Sequence, residues 1–285
     1  MRPLFILMAG NLFSDQVDQA LPVCFCVELF HNFTLLHDDI MDEAPLRRGR
    51  QTVHEKWNTN TAILSGDLMM IESLRHLERI EQIEIRARVS DYFLKGAVAV
   101  CEGQQIDMDF ETRDDVVLPE YIEMIELKTA ALLAEGMAMG AASCGANEEQ
   151  DKLIRKFGYL VGTAFQIQDD ILDTYGDPAK FGKKVGGDIA QNKKTFLYLR
   201  ALELADEKTK EEILYYYSDA CDLEEKAKIK KVTSLFDQVN IREIAEEEKM
   251  KYTKKAFSCL DELGFSEEKM KTLKDFAIEL VKREA

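Results

Sequence analysis

Turn formers are scarce in this sequence. Its 285 residues include 15 glycines and 5 prolines, roughly 7% together against about 12% in average usage, and residues 188–263 contain neither. A β-sandwich or barrel needs turn residues every 8 to 12 positions or so, which excludes all-β architectures and leaves helices. Basic residues are also short: 37 Lys and Arg face 53 Asp and Glu, a net charge of −16. Such a field repels polyanions at long range, which argues against a nucleic-acid partner. A phosphorylated substrate would have to be held by local cations or by metal ions on carboxylates. The six cysteines form no CxxC pair and, with only four histidines, offer no zinc-ligand spacing. They read as small buried hydrophobes, and a chain of this length buries about 75% of its unfolded surface without disulfide staples, as suits a reducing compartment. The apolar run Leu4 to Ala9 is too short to span a bilayer. The expectation is a cytoplasmic chain that is not transmembrane.

No linker, low-complexity segment or repeat divides the sequence, so residues 1–285 read as a single domain. Apolar periodicity predicts helices near 17–42, 59–80, 83–108, 119–144, 148–175, 192–205, 207–220, 223–236, 240–263 and 266–283. Pro119 suits a first turn, Asn147 with Gln150, Asp222 with Glu225 and Asn240 with Glu243 have capping-box spacing, and Ser266 offers a further start. The 119–144 segment is apolar nearly all round, as expected of a central helix, whereas Glu203 to Lys282 is charged enough for an outer layer.

Two segments carry the chemistry. Residues 31–50 read HNFTLLHDDIMDEAPLRRGR and residues 165–177 read FQIQDDILDTYGD, so DDxxD occurs twice. On a helix, Asp38 and Asp42 share a face, as do Asp169 and Asp173. Such like-charge pairs cost a few tenths of a kcal/mol each, and both lie near helix C-termini, where the dipole is already negative. Hard divalent cations relieve that repulsion, and Mg²⁺ in particular is held by a few carboxylates plus substrate phosphates. Cations for the phosphates follow each cluster: Arg47 and Arg48 beyond the helix-stopping Pro45, then Lys183, Lys184, Lys193 and Lys194, with Lys128-Thr129 inside an apolar helix. No Walker loop and no GxGxxG string is present.

These segments, with Gly103-Gln104-Gln105-Ile106-Asp107 between them, resemble the trans-isoprenyl diphosphate synthase (polyprenyl synthetase) family over most of the chain. The resemblance implies an all-α fold, the isoprenoid synthase fold: a bundle of long, mostly antiparallel helices around a central cavity. It implies a Mg²⁺-dependent head-to-tail (1′-4) condensation of isopentenyl diphosphate with an allylic diphosphate, namely dimethylallyl, geranyl or farnesyl diphosphate. Asp38, Asp39, Asp42, Asp169, Asp170 and Asp173 would hold the metal, three ions in all. Arg47, Lys128, Lys183 and Lys193 would contact the allylic diphosphate, and Arg2, His31 and Arg48 that of isopentenyl diphosphate. Thr129, Phe165 and Gln166 would line the substrate, with Asp38, Asp42, Lys128, Asp169 and Lys183 carrying catalysis. His37 reads as structural.

Phe33, five residues before the first aspartate, and its neighbour Thr34 would set product length, and they look like those of a short-chain synthase making C15 or C20. The family usually opens with GGKRxRP and this chain begins Met1-Arg2-Pro3, so an N-terminal truncation within that motif is expected. Homodimerisation is implied too, through apolar faces around 83–101 and 119–144. The competing readings are a non-catalytic subunit of a two-chain synthase, which typically lacks one acidic motif, and a class I terpene cyclase, whose second motif is of NSE type. Phe33→Ala is expected to lengthen the product, as chromatography of the dephosphorylated alcohols would show; an unchanged chain length would sink the blocking role.

Overall fold

The computed structural model describes residues 1–177, 185–218 and 220–283. The fold is all-α. The helices are α1 (Arg2–Asn11), α2 (Leu21–Met41), α3 (Val53–Lys56), α4 (Thr59–Leu77), α5 (Ile83–Thr112), α6 (Leu118–Ile125), α7 (Ala131–Ser143), α8 (Glu148–Tyr175), α9 (Gly187–Ala190), α10 (Phe196–Leu204), α11 (Glu207–Tyr216), α12 (Glu225–Gln238), α13 (Ile241–Asp261) and α14 (Glu267–Lys282). The chain forms two compact units. One comprises Met1–Ala97, Leu132–Lys156 and Leu260–Leu273; the other comprises Val98–Ala131, Phe157–Cys259 and Lys274–Ala285.

In the first unit, Phe5, Ile6 and Ala9 of α1 are fully buried, as are Val27 of α2 and Met137, Ala138 and Ala141 of α7. Phe93 of α5 meets Phe30 edge to face at 5.2 Å. A polar cluster lies inside this unit: Asp151, fully buried, accepts from the Tyr92 hydroxyl at 3.0 Å, and Arg155 pairs with Glu135 at 2.9 Å. Burial pushes the Asp151 carboxyl up to about 6, against the pull of Arg88 and the Tyr92 hydroxyl. The core of the second unit is built from Phe110, Tyr121, Met124, Ile125, Ile167, Ile171, Phe196, Leu197, Val232 and Phe236.

Several expectations are corrected. The 119–144 segment is not one α-helix: a π turn, Glu126–Ala130, separates α6 from α7. The helix foreseen at 17–42 opens with a 3₁₀ turn, Val17–Ala20, and α1 was not foreseen, because its residues are too uniformly apolar to show a periodicity. α12 starts at Glu225 behind Glu224, which makes no side-chain cap, in place of the box expected at Asp222. The apolar run of α7 is buried within the monomer and offers no dimer face. Cys101 is exposed and Cys221 half-buried, while the other four cysteines are buried. Among the described residues, Val17–Met41 is long and apolar enough to cross a membrane by length and composition. Val23, Cys26, Val27 and Phe30 on it are buried in the protein core.

Where caps were correctly read, the mechanism is visible. The Asn147 side chain accepts from the Gln150 N–H at 3.0 Å, and the Asn147 N–H donates to the Gln150 side chain at 2.9 Å. Together they satisfy two orphan donors at the start of α8, the helix that carries the second acidic motif. Asn147→Ala is expected to cost about 1 kcal/mol, read as a lower denaturant midpoint at unchanged slope; an unaltered midpoint would contradict the assignment.

Candidate active site

Within the first unit, the functional side chains sit on the last turns of α2 and on the hairpin behind it. Asp38 is half-buried and Asp42, which ends the helix, is exposed. Asp39 is only 5% exposed and accepts from Arg47 Nε at 2.7 Å. Successive helical residues point about 100° apart, so the middle aspartate cannot share the face of the other two. Pro45 leads into a two-residue ladder, β1 (Leu46–Arg47) with β2 (Arg50–Gln51), in which Arg47 faces Arg50. Arg48 and Gly49 make the turn with φ of 52° and 74°, the left-handed pair of a type I′ hairpin that Gly49 tolerates at no cost. The turn sends Arg47 back to Asp39.

Cations gather beside this turn. Burial, then Arg2, Arg48 and Arg47 in that order, push the His31 imidazole down to about 3. Burial pulls Arg2 down to about 10 against the attraction of Glu28, with Arg48 adding to the depression, and the Arg2 Nε is buried with no hydrogen-bond partner. A buried donor without an acceptor beside a neutralised histidine and further guanidiniums is a site short of an anion.

Phe33 and Thr34 are half-buried on the same helix. Phe33 packs at 5.3 Å against Phe30 and at 4.7 Å against the His37 ring. The Thr34 hydroxyl is spent on the His31 carbonyl, at 2.9 Å. His37 Nε2 lies 3.3 Å from the Ile63 carbonyl and 3.7 Å from Asp67, which ties α2 to α4.

Within the second unit, α8 repeats the pattern of α2. Asp169 and Asp173 are half-buried, and Asp170, between them in register, is 3% exposed. Asp170 accepts from the Tyr121 hydroxyl at 2.5 Å, from Gln166 Nε2 at 3.2 Å and from the Phe196 N–H at 3.1 Å. Burial, then the neighbouring Asp188, push its carboxyl up to about 8 against those three donors. Asp173 accepts from the Asp188 N–H at 3.0 Å. Asp169 pairs with Arg283, whose guanidinium also lies 4.7 Å over the Phe165 ring. Lys128 Nζ donates to Asp107 at 2.6 Å and the Thr129 hydroxyl to Gln166 Oε1 at 3.1 Å. The Lys193 N–H donates to the Asp188 carbonyl at 2.9 Å. Lys183 lies outside the described residues.

The expected ligand set therefore divides. Asp38, Asp42, Asp169 and Asp173 keep the outward positions, whereas Asp39 and Asp170, expected as ligands, are buried and engaged by Arg47 and by Tyr121, Gln166 and Phe196. Arg47, expected on a diphosphate, spends its Nε on Asp39. Among the described residues no three His, Cys, Asp or Glu side chains form a ready cage for a metal ion. Tyr121 and Arg283 were missed: an apolar-periodic tyrosine and a terminal arginine carry no motif that marks them.

The profile of the polyprenyl synthetase family matches residues 1–236. The chain is 40% identical over 213 residues to a short chain isoprenyl diphosphate synthase of Methanocaldococcus jannaschii, covering 75% of this chain and 65% of that protein. It is 40% identical over 217 residues to a geranylgeranyl diphosphate synthase of Sulfolobus acidocaldarius, covering 75% and 66%. The chain thus spans just under two thirds of the length of these curated relatives. A solved geranylgeranyl pyrophosphate synthetase from Pyrococcus horikoshii superposes with a TM-score of 0.91 at 36% identity over all of this chain and 86% of the other. Another solved geranylgeranyl pyrophosphate synthase gives a TM-score of 0.94 at 42% identity, over 100% and 87%. With more than half its length matched by the family profile and with its all-α architecture shared, this chain belongs to the polyprenyl synthetase family.

Proposed function

We propose that this chain is a Mg²⁺-dependent prenyltransferase that condenses isopentenyl diphosphate with an allylic diphosphate to a C15 or C20 product, with C20 favoured by the names of its relatives. The observation that carries the reading is one arrangement built twice: an outward pair of aspartates four residues apart, with the aspartate between them buried and anchored. Each pair by itself, Asp38 with Asp42 in the first unit and Asp169 with Asp173 in the second, offers oxygen donors only, which fits Mg²⁺, and bound Mg²⁺ would neutralise the charge that develops on the leaving diphosphate.

The chain's own residues supply the rest. Arg2, His31 and Arg48 bind the isopentenyl diphosphate, and Phe165 and Gln166 lie beside its isoprenoid part. Lys128 and Lys193, with Lys183 and Arg47, hold the allylic diphosphate. When the allylic C–O bond breaks, its electron pair leaves with the diphosphate, and these cations stabilise the charge where it appears. The isopentenyl double bond attacks the allylic cation to form the new C–C bond. A proton then leaves the resulting cation, and the departed diphosphate is its acceptor. Gln166 is held at both ends, by Thr129 and by Asp170, so its amide is oriented before the substrate arrives. Phe33, braced by Phe30 and His37, closes the path of the growing chain.

The chain is proposed to act in the cytoplasm, since a chain of 285 residues can bury a sufficient core without disulfide staples. It is proposed to act as a homodimer, for which the exposed Leu64, Leu68 and Ile71 at helical spacing on α4 offer a surface.

Incubation with isopentenyl diphosphate and each allylic diphosphate, with Mg²⁺ or with EDTA, is expected to give C15 or C20 alcohols after dephosphorylation, only with the metal. Asp38→Asn or Asp169→Asn should slow turnover about 100-fold or more. A chain that elongates nothing would return the non-catalytic subunit reading.

His31 gives a pH signature. Its folded-state pKa is depressed to about 3, so below about 6.5 the unfolded chain binds the extra proton. Stability is therefore complete above that range and is lost as the pH falls from about 6.5 towards 3. His31→Gln should flatten that part of the stability curve, and inorganic pyrophosphate should raise the His31 pKa in an NMR titration. A pKa that ignores pyrophosphate would remove His31 from the anion site.

A further inference from the structure

The π turn at Glu126–Ala130 is flanked by two glycines at distances no other residue permits. A Cβ built on Gly103 of α5 would lie 2.3 Å from the Lys128 backbone nitrogen, 2.7 Å from its Cα and 2.9 Å from the Leu127 carbonyl carbon. A Cβ on Gly162 of α8 would lie 2.6 Å from both Cα and Cβ of Ala130. Real Cβ atoms do not approach a backbone so closely, so both helices reach the turn at van der Waals range only because these positions are glycine.

Each glycine has a polar partner one helical turn along its own helix. Four residues after Gly103 comes Asp107, which accepts from Lys128 Nζ at 2.6 Å. Four residues after Gly162 comes Gln166, which accepts from the Thr129 hydroxyl at 3.1 Å. Residues four apart lie on the same helix face, so each helix presents a gap for the backbone and an acceptor for the side chain. Gln166 in turn donates to Asp170, which the Tyr121 hydroxyl of α6 also engages. The turn is thus fixed from both sides and from the helix that precedes it. A π turn departs from the better-paired α-helix and persists where packing determines it.

We infer that Gly103 and Gly162 are positioning residues: together with Asp107 and Gln166 they form a two-sided clamp that sets the π turn and aims Lys128 and Thr129 at the substrate. The inference rests on the proposed prenyl transfer for the aim of those two side chains, and on unit-two geometry alone for the clamp.

The test compares wild type with Gly103→Ala, Gly162→Ala and a chain lacking Leu127, the deletion that returns the π turn to α-helical register. Steady-state kinetics, the thermal midpoint and deuterium exchange of the peptide spanning 121–132 are read on each. The glycine variants are expected to lose about 100-fold in kcat, as a misplacement of about 1 Å does. The effect of inorganic pyrophosphate on the His31 pKa should be unchanged, since Arg2, His31 and Arg48 lie in the first unit, and the faster exchange should be confined to that peptide. The Leu127 deletion is expected to fold with at least the wild-type midpoint and still lose turnover. Wild-type kcat in a folded glycine variant or in the folded deletion would overturn the clamp, as would faster exchange spread over the whole chain. A deletion that fails to fold would overturn it too, because the turn would then serve folding rather than aim. If a glycine variant does not fold, the deletion decides alone. Should the wild type transfer no prenyl group, the functional reading fails, while the exchange of 121–132 still reports on the clamp.

Discussion

Carboxylates four residues apart on a helix repel each other, and here a third carboxylate is inserted between them, in two separate helices. Because the intervening residue points about 100° away from its neighbours, the conflict resolves in the same way each time. The outer aspartates keep the accessible face, and the middle one turns inward and must be compensated there. Asp39 is compensated by a full charge, Arg47 at 2.7 Å. Asp170 is met by the neutral donors Tyr121, Gln166 and the Phe196 N–H, and burial with the neighbouring Asp188 pushes its pKa up to about 8. The two DDxxD motifs are thus anchored differently, the first by an ion pair and the second by a network of hydrogen bonds from neutral donors.

The inward aspartates do more than remove repulsion. Asp39 fixes the hairpin that carries Arg47 and Arg48, and that hairpin is one source of the field acting on His31 and Arg2. Asp170 ties α8 to Tyr121 of α6 and to the first N–H of α10, and through Gln166 it reaches Thr129 on the π turn. In each unit the buried carboxylate is the point from which the cationic or polar side chains around the outer aspartates take their orientation.

The cationic corner around Arg2 and His31 shows the converse constraint. Burying a guanidinium and an imidazole among further positive charges is unfavourable, and the protein meets it by leaving the imidazole neutral and one Arg2 nitrogen without an acceptor. An arrangement that is unsatisfied in the free protein gains most from a bound anion, because the desolvation has already been spent.

The helical class and most helix spans follow from local rules, such as the lack of breakers over 188–263 and the reciprocal cap of Asn147 and Gln150. The paired DDxxD motifs were legible as two acidic helix faces, because spacing on a helix fixes which residues share a face. What spacing cannot give is what covers each face. That Asp39 meets Arg47, that Asp170 is buried beneath Tyr121, and that Arg283 from the chain's end returns to Asp169 all depend on residues distant in sequence. The π turn lay equally out of reach, since nothing in ELKTA departs from helical composition. By itself the sequence determined an all-α member of its family with two acidic helix faces. Only the tertiary structure decided which aspartates remain outward, because burial and partners are properties of packed neighbours, not of the helix that carries them.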